Sequence, residues 1–256
     1  MKRIGTITPS SNVIVEQVTQ AIVADYAQVS AHFARLSYFG STDRFPHSYD
    51  WDGMRDAARL LAHAHLDLLC WNGTKGGAIG FELDRELCSR VAAESGRGMY
   101  TSTLVLDDVL RAARSFRVAF VTPYAPEFLE RLTGGWRAAG YEVVATAGAG
   151  LVDNYAYSTL DAGRLAGMAR QVAAARPDAI LFYCTNMLGA PLCAPLEAEL
   201  GIPVYDSVSA PVWRILRELG FDTTASAPRW GSLFATGKPT LPSAAPSAGA
   251  GSHTNS

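Results

Sequence analysis

The chain has 256 residues, of which 48% are hydrophobic and 18% charged, and its formal net charge is −2. This balance is typical of a globular protein that buries a sizeable core as one large domain or two small ones. No basic run or aromatic-interleaved basic patch is present, which argues against nucleic acid as a partner. No window approaches the roughly 20 apolar residues that cross a bilayer, so we expect no membrane partner.

The first residues run straight into a predicted strand and lack the apolar region of a secretory signal. The four cysteines show neither CxxC spacing nor the Cys/His pairing of metal ligands; they are Cys70, Cys88, Cys184 and Cys193. We therefore expect reduced thiols in a cytoplasmic protein without a metal site.

In the first half, predicted strands alternate with helices. Periodicity and turn residues predict strands at 3–8, 28–38 and 66–71, and helices at 13–25, 52–64 and 82–95. Residues 39–52 form a loop longer than most connections and are a candidate lid. Residues 73–80 are predicted to form a glycine-rich turn.

The second half repeats this rhythm. Strands are predicted at 116–122, 141–146, 179–184 and 204–206, and helices at 126–139, 161–176, 195–200 and 211–219. The alternation predicts an α/β fold of two halves, 1–115 and 116–236, each a mainly parallel sheet flanked by helices. Residues 237–256 are rich in Gly, Pro, Ser and Ala and are predicted to be a disordered tail.

The halves also resemble each other in sequence. Residues 68–75 share a pattern with 180–187, with Asp67 matched to Ala179 and Gly73 opposite Cys184 at an offset of 111 residues. Residues 3–9 likewise resemble 117–123 at an offset of 114. Two similar halves facing each other would bring their strand ends to one cleft, the place where open α/β sheets bind ligands.

An apolar run of β-forming residues ends on Cys184, which is predicted to be the last residue of a strand. Backbone N–H groups of the following turn and a nearby helix N-terminus would favour a thiolate there. The alternative is a small core residue. Cys70, Cys88 and Cys193 are predicted to be structural.

The turn that begins at Gly73 lacks the Walker pattern, and no GxGxxG opens the first helix, so nucleotide binding is not favoured. Its backbone N–H groups and the Thr74 hydroxyl suit a carboxylate or enolate oxygen. The Tyr124 phenol could serve the same anion or pack on the surface. Asn12 and Asn154 each follow a predicted strand and could bind the anion or cap a turn.

Several short motifs occur in a specific order over about residues 3–235: Pro9-Ser10-Ser11-Asn12, Gly73-Thr74, Pro123-Tyr124, Asp153-Asn154, Cys184-Thr185-Asn186 and Trp230-Gly231-Ser232-Leu233-Phe234. Together they resemble the aspartate/glutamate racemase superfamily, and within it the branch of arylmalonate decarboxylase and maleate cis-trans isomerase. The resemblance implies a cofactor-independent enzyme of two pseudo-symmetric α/β halves with its active site between them.

By this resemblance, Cys184 matches the second-half cysteine that racemases, isomerases and the decarboxylase share. Its neighbour Thr185 is then expected to contact the substrate. Asn12, Tyr124 and Asn154 match polar groups that hold substrate carboxylates in the isomerases.

Pro9, Thr74 and Tyr124 match pocket and oxyanion-stabilising positions of the decarboxylase. Gly73 stands where racemases and maleate isomerases carry their first cysteine, and glycine is what the decarboxylase has there. Lys75 departs from the decarboxylase, which carries a hydroxyl residue at that place. Its ammonium group could bind a second carboxylate or turn to solvent.

The leading hypothesis is decarboxylation of a malonate-type acid through an enediolate that Cys184 protonates, without metal or organic cofactor. One alternative is cis-trans isomerisation or racemisation of a small dicarboxylate, with Lys75 or a water at Thr74 as the second acid/base. Another is a non-catalytic protein that binds small carboxylic acids. The resemblance implies a monomer or homodimer.

Overall fold

The computed structural model describes residues 1–38 and 44–236. The predicted tail and residues 39–43 of the predicted lid lie outside the described residues. The described chain folds into two four-stranded parallel sheets. The first has the order β2-β1-β3-β4, with β1 (Lys2–Pro9), β2 (Val29–Leu36), β3 (Leu68–Trp71) and β4 (Met99–Thr101). The second has the order β6-β5-β7-β8, with β5 (Arg117–Tyr124), β6 (Glu142–Leu151), β7 (Ala179–Phe182) and β8 (Val204–Asp206).

Helices connect and flank the strands of each sheet. The first half contains α1 (Ile14–Val23), α2 (Trp51–Ala62), the one-turn α3 (Gly76–Ile79), α4 (Phe81–Ser95) and α5 (Ser102–Ala112). The second contains α6 (Pro126–Ala138), α7 (Ala162–Ala173), α8 (Cys193–Leu200), α9 (Ser209–Glu218) and the one-turn α10 (Ala227–Trp230). The α/β fold with two similar halves is thereby confirmed, and the predicted boundary at residue 115 falls between α5 and β5.

Strand β4 and helix α5 were missed by the sequence analysis. The strand has only three residues, and its last residue, Thr101, is already the N-cap of α5, where its side chain accepts the Leu104 N–H at 3.1 Å. No turn residues such as Gly or Pro separate the two elements, so the sequence does not indicate where one ends and the other begins. Strand β6 also runs five residues beyond its predicted end, because pairing with β5 extends a segment of Ala and Gly that has little strand propensity.

Strand pairing shows the internal repeat directly. Leu68 and Ala179 hold equivalent places beside the central strands β1 and β5, so Gly73 and Cys184 are equivalent, as predicted. Asp67 is then equivalent to Asp178, so its match to Ala179 and the match of 68–75 to 180–187 were both wrong by one residue. Both carboxylates accept a 2.8 Å hydrogen bond from the backbone N–H of an arginine near the start of the neighbouring central strand.

One hydrophobic core cluster extends through both halves, and a second lies within the first half. Helix α3 of the first half packs closely on α6 of the second, where a Cβ on Gly135 would lie 2.1 Å from the Gly77 carbonyl oxygen. Only glycine permits this approach. Nearby, the hydroxyls of Thr103 and Tyr183 share a 2.7 Å hydrogen bond across the halves. The cleft between the two sheets is thus held by direct packing.

Candidate functional site

A cavity of about 30 Å³ lies where the carboxyl ends of strands from both sheets converge. Its walls consist of Pro9, Tyr38, Trp71, Gly73, Thr74, Lys75, Tyr124, Phe128, Asn154, Tyr157, Cys184 and Thr185. The first six belong to the first half and the others to the second. Because all strands of each sheet are parallel, their carboxyl ends meet at one edge, and the facing halves enclose the cavity.

Eight of the nine predicted site residues line this cavity. The exception is Asn12, which lies behind Thr185 and donates a 3.2 Å hydrogen bond to its hydroxyl. Sequence reasoning did not include four aromatic members of the wall: Tyr38, Trp71, Phe128 and Tyr157. Tyr38 follows β2, Trp71 ends β3, and Phe128 lies in the first turn of α6 after β5. Their position at or after the end of a strand was a signal that could have identified them.

Cys184 lies two residues past the end of β7, whereas the sequence predicted it as the last strand residue. The Tyr183 N–H still donates to the Val121 carbonyl at 3.0 Å, so the chain keeps the direction of the strand up to the thiol. The Cys184 residue is 3% exposed. Its sulfur accepts a 3.4 Å hydrogen bond from the Asn186 N–H.

Burial raises the pKa of the Cys184 thiol to about 12. The Asn186 N–H and the neighbouring Tyr124 hydroxyl lower that pKa, but by less, and the Asp206 carboxylate raises it further. The local N–H group therefore acts in the expected direction, but desolvation outweighs it and the net effect disfavours the thiolate. The group present at neutral pH is a protonated thiol, which can donate a proton.

A pair of hydroxyls stands beside the thiol. Thr74 Oγ1 from the first half and Tyr124 Oη from the second share a 3.0 Å hydrogen bond. Burial, and next the nearby Cys184, raise the pKa of Tyr124 well above its usual value, so the phenol keeps its proton. One of their two protons is used in this bond, so the pair offers the other to an oxygen that gains negative charge in the cavity.

Lys75 is bound to the described part of the predicted lid. Its Nζ donates to the Phe45 carbonyl at 2.5 Å and lies over the rings of Tyr38 and Tyr49, 5.7 and 5.8 Å from their centroids. Arg131 of the second half donates to the next carbonyl, that of Pro46, at 2.6 Å. Cations from opposite halves therefore hold adjacent carbonyls of this segment. Binding of a second substrate carboxylate by Lys75 stays a prediction.

The two predicted asparagines differ in their surroundings. Asn12 Oδ1 accepts the N–H groups of Ile14 and Val15 at 3.0 and 2.9 Å and thereby caps α1. Turn-capping is thus the observed role of that oxygen. Asn154 lies on the cavity wall and donates a 2.7 Å hydrogen bond to the Ser11 hydroxyl of the other half.

Asn186 is a connecting residue that the predicted site did not include. Its Oδ1 accepts the N–H groups of Val13 and Ile14 at 2.9 and 3.3 Å, so a second-half side chain helps to cap a first-half helix. Its amide donates to the carbonyls of Asn154 and Ser11 at 2.6 and 3.5 Å. Asn186 is 1% exposed. Its side chain therefore joins the loop that carries Cys184 to the segments around Ser11 and Asn154.

Residues 1–38 and 44–236 contain no group of three or more His, Cys, Asp and Glu side chains placed to hold a metal ion. Over the same residues, no helix combines the length and apolar character that crossing a membrane requires.

Two fully buried carboxyl groups lie near the site. Asp206 ends β8; its Oδ1 accepts the Val208 and Ser209 N–H groups at 2.9 Å each, and its Oδ2 has no hydrogen-bond partner among the described residues. Burial raises the pKa of Asp206 to about 7. Asp84 accepts hydrogen bonds from the hydroxyls of Tyr49 and Thr101, and burial raises its pKa to about 6.

Asp206 makes stability depend on pH. Its pKa rises from 3.8 in the unfolded chain to about 7 in the fold, so the folded state holds the proton over that window. The contribution of Asp206 to the unfolding free energy should therefore be highest below pH 4. It should fall by about 4 kcal/mol as the pH rises from about 4 through 7. Urea unfolding between pH 4.5 and 7.5 measures the fall, and Asp206→Asn should reduce it, leaving the part below pH 6 to which Asp84 contributes.

The control for this experiment is Asp222→Asn. Hydrogen bonds from Thr224 lower the pKa of that exposed carboxyl, so its titration lies below the window. The slope should stay as in the wild type. Equal slopes for wild type and Asp206→Asn would contradict the prediction.

The fold and the cavity define a two-lobed α/β protein whose strand ends enclose one thiol, a hydroxyl pair and an asparagine amide. The family model described as arylmalonate decarboxylase matches residues 41–234. The chain belongs to the arylmalonate decarboxylase family.

Similar proteins within this enzyme family have two named activities. A maleate isomerase of Nocardia farcinica is 27% identical over 242 residues, which cover 91% of this chain and 96% of that protein. An arylmalonate decarboxylase of Bordetella bronchiseptica is 27% identical over 240 residues, 89% and 97% of the two chains. Among solved structures, the Nocardia farcinica maleate cis-trans isomerase with a covalently bound succinylcysteine intermediate superimposes with a TM-score of 0.79 at 26% identity, covering 91% and 98% of the chains.

Proposed function

We propose that this protein is a cofactor-independent decarboxylase of malonate-type acids in which Cys184 protonates the enediolate intermediate. The observation that carries the proposal is the asymmetry of the two halves: Cys184 is a buried, protonated thiol, and its equivalent in the first half is Gly73. A reaction that transfers one proton to one carbon needs a single acid of this kind.

The substrate carboxylate that stays on the product is held by the hydroxyls of Thr74 and Tyr124 and by the Asn154 amide. These donors come from both halves and are positioned before the substrate arrives, because Thr74 and Tyr124 already contact each other. The other carboxylate faces the aromatic wall of Phe128 and Tyr157. There, loss of its charge as carbon dioxide is favoured.

Cleavage of the carbon–carbon bond releases carbon dioxide and leaves the bonding electron pair on the substrate as an enediolate. The oxygens of the enediolate receive a hydrogen bond from the hydroxyl pair and one from the Asn154 amide, and such donors are worth about 3 to 4 kcal/mol each in comparable sites. The Cys184 thiol then transfers its proton to carbon, and the Asn186 N–H stabilises the resulting thiolate. Water returns one proton to the sulfur, so the net reaction consumes one proton and releases one carbon dioxide.

A second candidate is isomerisation of a small dicarboxylate such as maleate. The curated relatives include maleate isomerases, and the Asn154 amide on the cavity wall suits a second carboxylate. The raised pKa of Cys184 weighs against it, because addition to an alkene requires the thiolate.

Proton NMR of the purified protein in D2O with phenylmalonate, methylmalonate, maleate and aspartate tests the proposal. Decarboxylation predicts a monoacid that carries deuterium at the α-carbon. Fumarate from maleate would establish the isomerase instead, and binding of a carboxylate without any turnover would establish a binding protein.

The pH dependence of the reaction separates the two roles of the thiol. With a Cys184 pKa of about 12, kcat/KM for a malonate-type acid should not increase between pH 8 and 10, because the thiol remains the acid throughout. A reaction that needs the thiolate would accelerate about tenfold per pH unit. Alkylation of Cys184 by iodoacetamide over the same range reports the thiolate itself and should accelerate in that way.

A further inference from the structure

Trp71 occupies the space that a side chain at position 73 would need. A Cβ built on Gly73 would lie 2.4, 2.5 and 2.8 Å from Cε2, Cζ2 and Nε1 of the Trp71 indole. Real Cβ atoms essentially never come within 3.0 Å of another atom in this way. Gly73 is equivalent to Cys184, so the indole fills the first-half counterpart of the thiol.

The position of the Trp71 indole is fixed by its neighbours. Trp71 is 2% exposed, and its ring packs edge-on against Tyr49 with the centroids 6.2 Å apart. The Tyr49 hydroxyl in turn donates to Asp84, which also accepts from Thr101 at 2.5 Å. The ring is therefore held from behind by a buried hydrogen-bonded cluster, and its nitrogen-bearing edge lies over Gly73 on the cavity wall.

An indole contributes different chemistry from a thiol. Its N–H can donate a hydrogen bond but neither accepts nor releases a proton near neutral pH. The first-half side of the cavity consequently lacks the acid and base that a second cysteine would supply.

We propose that Trp71 is a specificity-determining residue that excludes a second acid/base at position 73 and commits the site to proton transfer by Cys184 alone. The proposal deepens the function proposed above and rests on it for its chemistry. Its steric part stands on the structure alone. The product is then protonated from the Cys184 side, and its α-proton is not exchanged from the Trp71 side.

The steric part is tested by a double-mutant cycle in thermal unfolding. Gly73→Ala should lower Tm by about 5 °C in the wild type, the typical cost of overpacking a buried site in a chain of this size. In a Trp71→Leu background the same change should shift Tm by less than about 1 °C. Should Trp71→Leu fail to fold, Trp71→Met provides a second background, because its flexible side chain can move aside.

The matched control is Gly134→Ala in α6. A Cβ at Gly134 meets no atom within 4 Å, so this change should not lower Tm in either background. Equal Tm shifts for Gly73→Ala with and without Trp71 would overturn the proposal.

The chemical part uses Gly73→Cys, alone and combined with Trp71→Leu, on a chiral 2-arylpropionate in D2O. The double variant has room for a thiol opposite Cys184 and should exchange the α-proton at least about tenfold faster than Gly73→Cys alone. Equal exchange by both would overturn the chemical role of Trp71. If the wild-type protein forms no deuterated monoacid from any malonate, the proposed function fails. The double-mutant cycle in thermal unfolding still tests the steric part in that case.

Discussion

Replacing Cys184 by alanine should reduce kcat for decarboxylation by about 10³. A positioned general acid contributes roughly 10² to 10⁴ to a rate, and no other thiol lines the described part of the cavity. Proton NMR in D2O follows loss of the malonate and appearance of the deuterated monoacid in the same sample.

Two further variants make this experiment specific. Cys88→Ala removes a half-buried thiol from α4, away from the cavity, and should keep both Tm and kcat near the wild-type values. Cys184→Ser keeps a proton on a group of similar size but of much lower acidity, and its kcat should fall between those of wild type and Cys184→Ala. A Cys184→Ala protein that retains more than about one tenth of kcat would contradict the role given to the thiol.

Replacing Asn186 by alanine should lower the unfolding free energy by about 3 kcal/mol and reduce kcat by about tenfold. The change removes a side chain that bonds Val13, Ile14, Asn154 and Ser11. The Ile14 N–H keeps its bond to Asn12 Oδ1, whereas the Val13 N–H and the Asn154 carbonyl lose the partner that Asn186 supplies. The loop that carries Cys184 then loses its fixed position relative to the first half, which is the reason for the loss of rate. Urea unfolding and steady-state kinetics measure the two effects.

The matched comparison is Asn154→Ala, which removes a side chain with a single 2.7 Å hydrogen bond to Ser11. Its stability should fall by about 1 kcal/mol, well short of the loss for Asn186→Ala. Asn186→Asp keeps the acceptor for the N–H groups of α1 but loses both donors, so it should be intermediate. Equal stability of Asn186→Ala and wild type would contradict the prediction.

The internal repeat explains how one fold provides an asymmetric site. Strands β3 and β7 end at the same cavity, and the equivalent positions after them are Gly73 and Cys184. The half with glycine contributes the indole of Trp71, which fills the space at position 73, and the Thr74 hydroxyl. In the proposed reaction the half with cysteine contributes the proton, and donors from both halves stabilise the negative charge. Only the proton transfer is thus confined to one of the two symmetric places.

Local pattern predicted most of the architecture of this protein. Alternation of apolar runs with helical periodicity indicated two parallel α/β halves, and the repeated strand ends at Gly73 and Cys184 indicated a shared cleft. Eight predicted site residues line the cavity because residues that follow parallel strands collect at one edge of a sheet. This rule depends on chain order alone, so the sequence by itself was sufficient for it.

Tertiary structure decided the chemistry of those residues. The Cys184 thiol is protonated because burial outweighs its local N–H donor, and burial is a property of the packed fold. The indole of Trp71 fills the space at Gly73 because Tyr49, from a distant loop, packs against its ring. Asn186 reaches four partners, three of which lie more than 170 residues away in the chain. Such contacts between distant segments leave no periodic signal, whereas strands and helices do.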